Sequence, residues 1–302
     1  MEIAKNSRPQ NIKLGVLLAL AASLCSTIMS VFAKLIGDGQ AVTTIVFSRF
    51  AIGLLVLLPW LLTDHALFKV DNRIKVLLRC ITSIMAMVCV FYSLKFMPVS
   101  NVLLLNNTFP LFLPLLSWII LGVKTPMKML IGIVIGFVGV ALVLHPKAAS
   151  FNWHALIALL SGLLAAQAML QIRLLTQGTS AKQILFYLFV FGTVVTGMVV
   201  PFYFTMPTSH QMILLLFVGL SGAGYQCFLT LALIYANARI VSPIYFSCIV
   251  FAGILDWFIW SIKLSCIDLV GMAFIMAGGI LTILLADRNK PIHPDVHRAL
   301  AG

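Results

Sequence analysis

Acidic residues are nearly missing from this chain. Asp and Glu together number 8 among 302 residues, and charged residues of either sign make up only 9%. A water-soluble domain carries about 25%. With 62% of its residues apolar and a mean hydropathy of +1.10, the chain has too little polar surface to coat a water-facing globule. Lipid must be its solvent. Metal-type cysteine spacing is missing too. Cys25, Cys80, Cys89, Cys227, Cys248 and Cys266 lie in or at the edges of apolar runs, and none forms a C-x-x-C pair. That pattern reads as free buried thiols. The six histidines fall in loops, tails or run edges, so no metal is expected. No nucleotide-binding loop occurs, which excludes ATP as an energy source within this chain. No cofactor is expected.

What is present is ten long apolar segments, roughly 14–36, 41–62, 74–95, 99–121, 127–145, 152–173, 181–203, 211–235, 240–262 and 266–286. Each can cross a hydrocarbon core of about 30 Å as a helix. They are about twice the length of a barrel strand and do not alternate, which excludes a β-barrel. The first resembles a signal peptide, and "LAASLC" at 20–25 resembles a lipoprotein cleavage site. Leu24, however, stands where a small residue is needed, and the run continues to Ile36. It reads as an uncleaved helix.

The chain carries a formal charge of +12, and the placement of the cations explains it. With the N-terminus inside, Lys5, Arg8, Lys13, Lys69, Arg73, Lys75, Arg79, Lys124, Lys128, Arg173, Lys182, Arg239, Arg288, Lys290 and Arg298 face the cytoplasm. Lys34, Lys95, Lys147 and Lys263 face out, and Arg49 falls inside a helix. This bias places both termini in the cytoplasm. The cations orient helices and meet lipid headgroups, and no nucleic acid is required.

Shifted by 139 residues, the sequence matches itself without a gap. Phe50 falls on Phe189, Gly53 on Gly192, Trp118 on Trp257, Lys124 on Lys263, Gly132 on Gly271 and Gly139 on Gly278. Apolar coincidences are cheap in such a chain, but Trp, Lys and Gly at one offset are not. The chain duplicates a five-helix unit. Five is odd, so the second copy enters the membrane reversed. Inverted repeats are a recurring basis of secondary transporters. The expected fold is an all-α polytopic membrane protein with ten transmembrane helices as two inverted five-helix repeats. The repeats occupy 14–145 and 152–286, with tails at 1–13 and 287–302.

Four segments carry a resemblance: "SVFAKLIGDGQAVTTIVFSRFAIGLLV" (30–56), "YSLKFMPVSNVLLLNNTFPLFLPLLSWIILG" (92–122), "MLIGIVIGFVGVALVL" (129–144) and "ARIVSPIYFSCIVFAGILDWFIW" (238–260). The chain resembles the drug/metabolite transporter superfamily, specifically its EamA-type ten-helix members, over residues 14–286. The last segment is also similar to the subgroup that includes S-adenosylmethionine carriers. The resemblance implies a solute site walled by the first, third, fourth, sixth, eighth and ninth helices. One departure stands out. Where the family usually places a Glu after the fourth and ninth helices, this chain has Val123 and Ile262.

Several polar residues sit inside apolar runs. "VLLLNNTFPLFLPLLSWIIL" (102–121) holds Asn106, Asn107 and Thr108, with Pro110 and Pro114 just beyond. The prolines should free carbonyls and bend the helix. The amides then either wall a solute cavity or bond neighbouring helices. Tyr245 and Ser247 are the repeat mates of Asn106 and Thr108. Ser23, Thr27, Ser30 and Lys34 share one face of the first helix, suited to tight packing or to a cavity wall. Gln167 and Gln171 share a face of the sixth. Gln167 reads as cavity-lining and Gln171 as interfacial. Asp256 is the one acid well inside a run, with Arg49 nominated as partner. It is a structural bridge, a proton-coupling group or a cation-recognition group. Gly132, Gly136 and Gly139 suit packing, within the fold or against a second copy of the chain. Trp60, Trp153 and Trp260 read as interfacial anchors.

These residues point to a secondary transporter of a small organic metabolite in the inner membrane, working by alternating access. Asn106, Gln167, Tyr225 and Tyr245 are expected to face the solute, with Tyr92, Asn107 and Asp256 behind them. The expected partners are the solute, membrane lipid and a second copy of the chain. The rival readings are a non-transporting assembly partner and a membrane-embedded enzyme. The second would need clustered catalytic side chains that the short loops do not hold.

Overall fold

The computed structural model describes residues 12–62, 73–122, 127–144, 153–175, 181–236, 238–262 and 265–285. The two tails, apart from Ile12 and Lys13, and the orientation cations Lys69, Lys124, Lys147 and Lys263 lie outside them. The described residues form twelve α-helices and no strand. They are α1 (Ile12–Ile36), α2 (Val42–Leu61), α3 (Arg73–Leu94), α4 (Val99–Asn106), α5 (Phe109–Leu121), α6 (Met127–Leu144), α7 (Trp153–Leu175), α8 (Ala181–Tyr203), α9 (Ser209–Tyr235), α10 (Ala238–Tyr245), α11 (Ser247–Trp260) and α12 (Cys266–Leu285), with one 3-10 turn at Gly37–Gly39. Among the described residues, nine helical runs are long and apolar enough to cross a membrane, and Met129–Val143 is a shorter tenth. Helices are the expected answer, because a backbone in lipid must satisfy its own polar groups. The chain is an all-α, multi-pass membrane protein.

Twelve helices arise from ten apolar runs because the fourth and ninth runs each break near their middle. Pro110 has no N–H to give the Asn106 carbonyl four residues back. The ladder tightens to three-residue spacing instead: the Thr108 N–H donates to the Leu105 carbonyl (3.3 Å) and the Leu111 N–H to the Thr108 carbonyl (2.9 Å). The second break, at Phe246, was not anticipated. There Pro243 precedes the break, and the Phe246 N–H donates to the Pro243 carbonyl (3.3 Å) and the Ile249 N–H to the Phe246 carbonyl (3.0 Å). The two breaks fall at matching places in the two repeats, yet their prolines lie on opposite sides of the break.

The chain divides into two compact units. The first takes residues 1–69 and 181–262, the second 70–180 and 263–302. Each therefore draws helices from both sequence repeats. In the first unit α1 packs on α9, α10 and α11, while α2 packs on α8 and α9. In the second, α7 packs on α3, α4 and α5, and α6 packs on α12. Moving by 139 residues turns α1 on α9 into α7 on α3, and α1 on α10–α11 into α7 on α4–α5. The same assembly is built twice.

The helices left over pair with their own repeat mates, and their contacts are reciprocal. A Cβ on Gly53 would lie 2.5 Å from the Phe189 ring, and one on Gly192 would lie 2.6 Å from the Phe50 ring. The two rings meet edge to face, with centroids 6.1 Å apart. In the second unit, a Cβ on Gly132 would meet Thr282 Oγ1 at 2.6 Å, and one on Gly139 would meet the Gly271 carbonyl at 2.7 Å. Repeat mates trading places across a helix pair is what an inverted duplication produces. Close approach through small residues drives such packing, because lipid tails leave little hydrophobic force between helices. The glycine stripe of α6 is thus used inside the fold.

Candidate functional site

Both breaks carry polar side chains, and each is tied to the first helix of the opposite repeat. In the first unit, the Tyr245 hydroxyl at the end of α10 donates to Ser26 Oγ on α1 (2.9 Å). Ser23 and Ser247 share a hydrogen bond at 2.6 Å. The Thr27 hydroxyl donates to the Cys248 carbonyl (3.0 Å) and the Ser30 hydroxyl to the Ser26 carbonyl (3.0 Å). Ser23, Thr27 and Ser30 are fully buried. Their stripe is therefore a bonded seam between α1 and α10–α11, which is the packing reading. Tyr225 on α9 is half-buried, and its ring centroid lies 5.7 Å from that of Tyr245.

In the second unit the seam is thinner. The Asn106 amide donates to Ser161 Oγ on α7 (3.0 Å). Asn107 is buried, and its amide donates to the Leu103 carbonyl (2.7 Å), within its own chain segment. The Thr108 hydroxyl donates to the Leu105 carbonyl (2.6 Å). Gly162 of α7 lets the break approach. A Cβ there would lie 2.6 Å from the Leu105 carbonyl oxygen and 2.5 Å from Thr108 Oγ1. One turn further along α7, Gln167 is half-buried, and its Oε1 is buried without a hydrogen-bond partner. Gln171, expected at an interface, is buried, and its Oε1 also lacks a partner. Tyr92 is 37% exposed and sits apart from the break in an aromatic group. Its ring centroid is 5.2 Å from Phe96 and 6.0 Å from His154.

Asp256 on α11 is completely buried. Sequence reasoning nominated Arg49. The Asp256 Oδ1 lies 4.0 Å from the ammonium of Lys34 on α1, a residue left among the boundary charges. That ammonium also sits 4.6 Å above the Trp260 ring. Arg49 is buried on α2, its guanidinium 5.0 Å over Phe50, and Gly222 on α9 makes room for its stem, with a hypothetical Cβ 3.1 Å from Arg49 Cγ. Parity would have flagged Lys34. The first and ninth spans are both odd, so their C-terminal ends lie on one side of the membrane. Ser26 and Ser161, which receive the break residues, had no signal beyond their place on a helix that pairs with the break.

Among the described residues no cluster of three metal-ligating side chains occurs. The arrangement offers hydroxyls, amides, aromatic faces and one buried ion pair. Groups of these kinds can hydrogen-bond a polar solute, and among the described residues they form no nucleophile–base constellation.

A family model described as the EamA-like transporter family matches residues 13–145 and again 152–284. The chain is 30% identical over 277 residues to the pseudopaline exporter CntI of Pseudomonas aeruginosa, covering 90% of this chain and 94% of that one. It is 29% identical to an uncharacterized transporter of Helicobacter pylori, with 91% and 96% covered. It is 26% identical to the S-adenosylmethionine uptake transporter of Rickettsia prowazekii, with 82% and 84% covered. A solved crystal structure superposes with a TM-score of 0.62 at 16% identity, spanning 92% of this chain and 98% of its own. That likeness shows the fold alone.

Proposed function

Because the chain belongs to the EamA-like transporter family, we propose that it is a secondary transporter carrying a small organic metabolite across the cytoplasmic membrane. The two inverted repeats, 14–145 and 152–286, exchange conformations and open the solute path to one side and then the other. The observation that carries this reading is the pair of mid-span breaks. Each puts an interrupted backbone and polar side chains where an uninterrupted apolar helix would be the cheaper structure. Asn106 and Gln167 in the second unit and Tyr225 and Tyr245 in the first face the solute. Tyr92, Asn107 and Asp256 support them. Relatives named as carriers of pseudopaline and of S-adenosylmethionine make those two compounds the first solutes to test. Membership of a transporter family weighs against an enzyme, and so does the lack of a catalytic constellation among the described residues.

Purified protein in proteoliposomes tests the reading. A transporter gives saturable uptake of at least one of the two solutes, stimulated when the same solute is loaded inside. Uptake no faster than in empty liposomes, for both solutes and in both directions, would favour the assembly-partner reading. Both termini are placed in the cytoplasm by the cation bias. Reporter fusions at Lys69 and Lys147 should then report opposite sides, and agreement between them would refute the helix count between them.

A further inference from the structure

We propose that Lys34, Asp256 and Trp260 form a proton-binding switch at the contact between α1 and α11, and that the proton is the co-substrate of transport. Three observations meet here. Asp256 is completely buried, and Lys34 is 13% exposed at the side chain. Their charged atoms are 4.0 Å apart, outside hydrogen-bond range, so the tie between them is Coulombic. The ammonium has a second partner on the same helix, the Trp260 ring 4.6 Å away. A carboxylate and an aromatic face four residues apart on α11 thus share one cation from α1.

A proton arriving at Asp256 converts the carboxylate to a neutral acid and removes the Coulombic tie. Lys34 keeps its charge and its seat over Trp260. No bare ion is left in hydrocarbon, the state that makes intramembrane charges costly. The α1–α11 contact weakens without being abolished. Loss of the proton restores it. The contact is therefore strongest when Asp256 is ionised and loosens when it takes up a proton. The repeat mates of Lys34 and Asp256 are Arg173 and Ser117, so an acid is present at this place in one repeat and absent in the other. A coupling group added to one half of a duplicated scaffold has that signature.

Other titratable or charged groups lie on the elements packed against this pair. They are Asp38 on the 3-10 turn, exposed His210 and half-buried Tyr225 and Tyr235 on α9, Tyr245 at the α10–α11 break, and the thiols Cys25, Cys227 and Cys248. Lys13 stands at the far end of α1, and Arg49 on α2 stays charged throughout. His210 is the histidine on these elements, so it serves as the control.

This inference rests on the transporter reading for its role, but its first two readouts need no solute. Infrared difference spectra of the lipid-reconstituted protein, recorded while pH is lowered, should gain a protonated-carboxyl band that His210→Gln retains and Asp256→Asn lacks. In a protein whose other four tryptophans are Phe, Trp260 emission should shift with the same midpoint, and the shift should vanish with Asp256→Asn. The third readout is a pH gradient driving S-adenosylmethionine uptake. Asp256→Asn should cut uphill accumulation at least about tenfold and leave the remaining uptake indifferent to the pH gradient. Asp256→Glu should keep both, guarding against misfolding. A missing band, or a Trp260 response that survives Asp256→Asn, overturns the switch. So does the neutral pair Lys34→Gln with Asp256→Asn, if it restores pH-driven accumulation. If S-adenosylmethionine moves in no protein while the band and the Trp260 shift are both present, the solute assignment fails and the proton site stands.

Discussion

The two compact units solve one packing problem with different chemistry. In each, a broken helix docks on the first helix of the other repeat. In the first unit the dock is a row of hydroxyls: Ser23 with Ser247, Thr27 with the Cys248 carbonyl, Tyr245 with Ser26. In the second unit the helix face equivalent to that row is Gly162, Ala166 and Met169, and the cross-helix bond is Asn106 to Ser161. The second unit relies on closeness, with Gly162 against the Leu105 carbonyl, and it carries three amides, Asn101, Gln167 and Gln171, whose buried oxygens have no hydrogen-bond partner. A bonded seam holds a shape. A seam with unsatisfied amides leaves recognition capacity in reserve, at a standing cost to stability. Divergence thus left one unit with a hydroxyl-bonded seam and the other with a closer seam that holds unpartnered amide oxygens.

Exchanging the two devices would break the comparison. Gly162→Val should have the largest effect. Its added carbons meet backbone at the break, and overpacking of that kind costs about 1–3 kcal/mol or more. Thermal denaturation of the detergent-solubilised protein should show a clear fall, where Ser23→Val gives a smaller one. Next comes Gln167→Leu combined with Gln171→Leu. An unpaired buried amide costs about 1–3 kcal/mol, so removing two should raise the melting temperature while lowering solute flux. A fall in both would mean that the amides are structural. The smallest effect is expected from Ser23→Gly, which installs the residue of the other unit and removes one interhelical hydrogen bond. Such bonds average about 0.6 kcal/mol in membrane proteins, so flux should be kept with a small loss of thermal stability.

Much of this architecture could be read before any coordinates. The helix spans, the duplication and its inversion follow from run length, parity and the constant offset, because lipid restricts a chain so severely. The first break was legible because Pro110 removes a specific donor. The second was not, because Pro243 precedes its break and reads as an ordinary kink. The compact units were invisible in the sequence, since each interleaves helices from both repeats and no local signal reports a long-range partner. Tyr245 was singled out through its repeat mate Asn106. Lys34 was missed as the partner of Asp256, because a lysine at a run boundary looks like any topology-setting cation. Asn107, expected behind the solute-facing residues, donates its amide to the Leu103 carbonyl of its own segment.

Whether the two breaks line the solute path can be tested by placing a single cysteine there in a background cleared of the six native ones. Asn106→Cys and Tyr245→Cys, probed in proteoliposomes with a membrane-impermeant maleimide, should both be alkylated. Labelling should slow when the transported solute is present, and it should block flux. If neither cysteine reacts from either side while flux remains normal, the breaks are structural joints and the solute passes elsewhere.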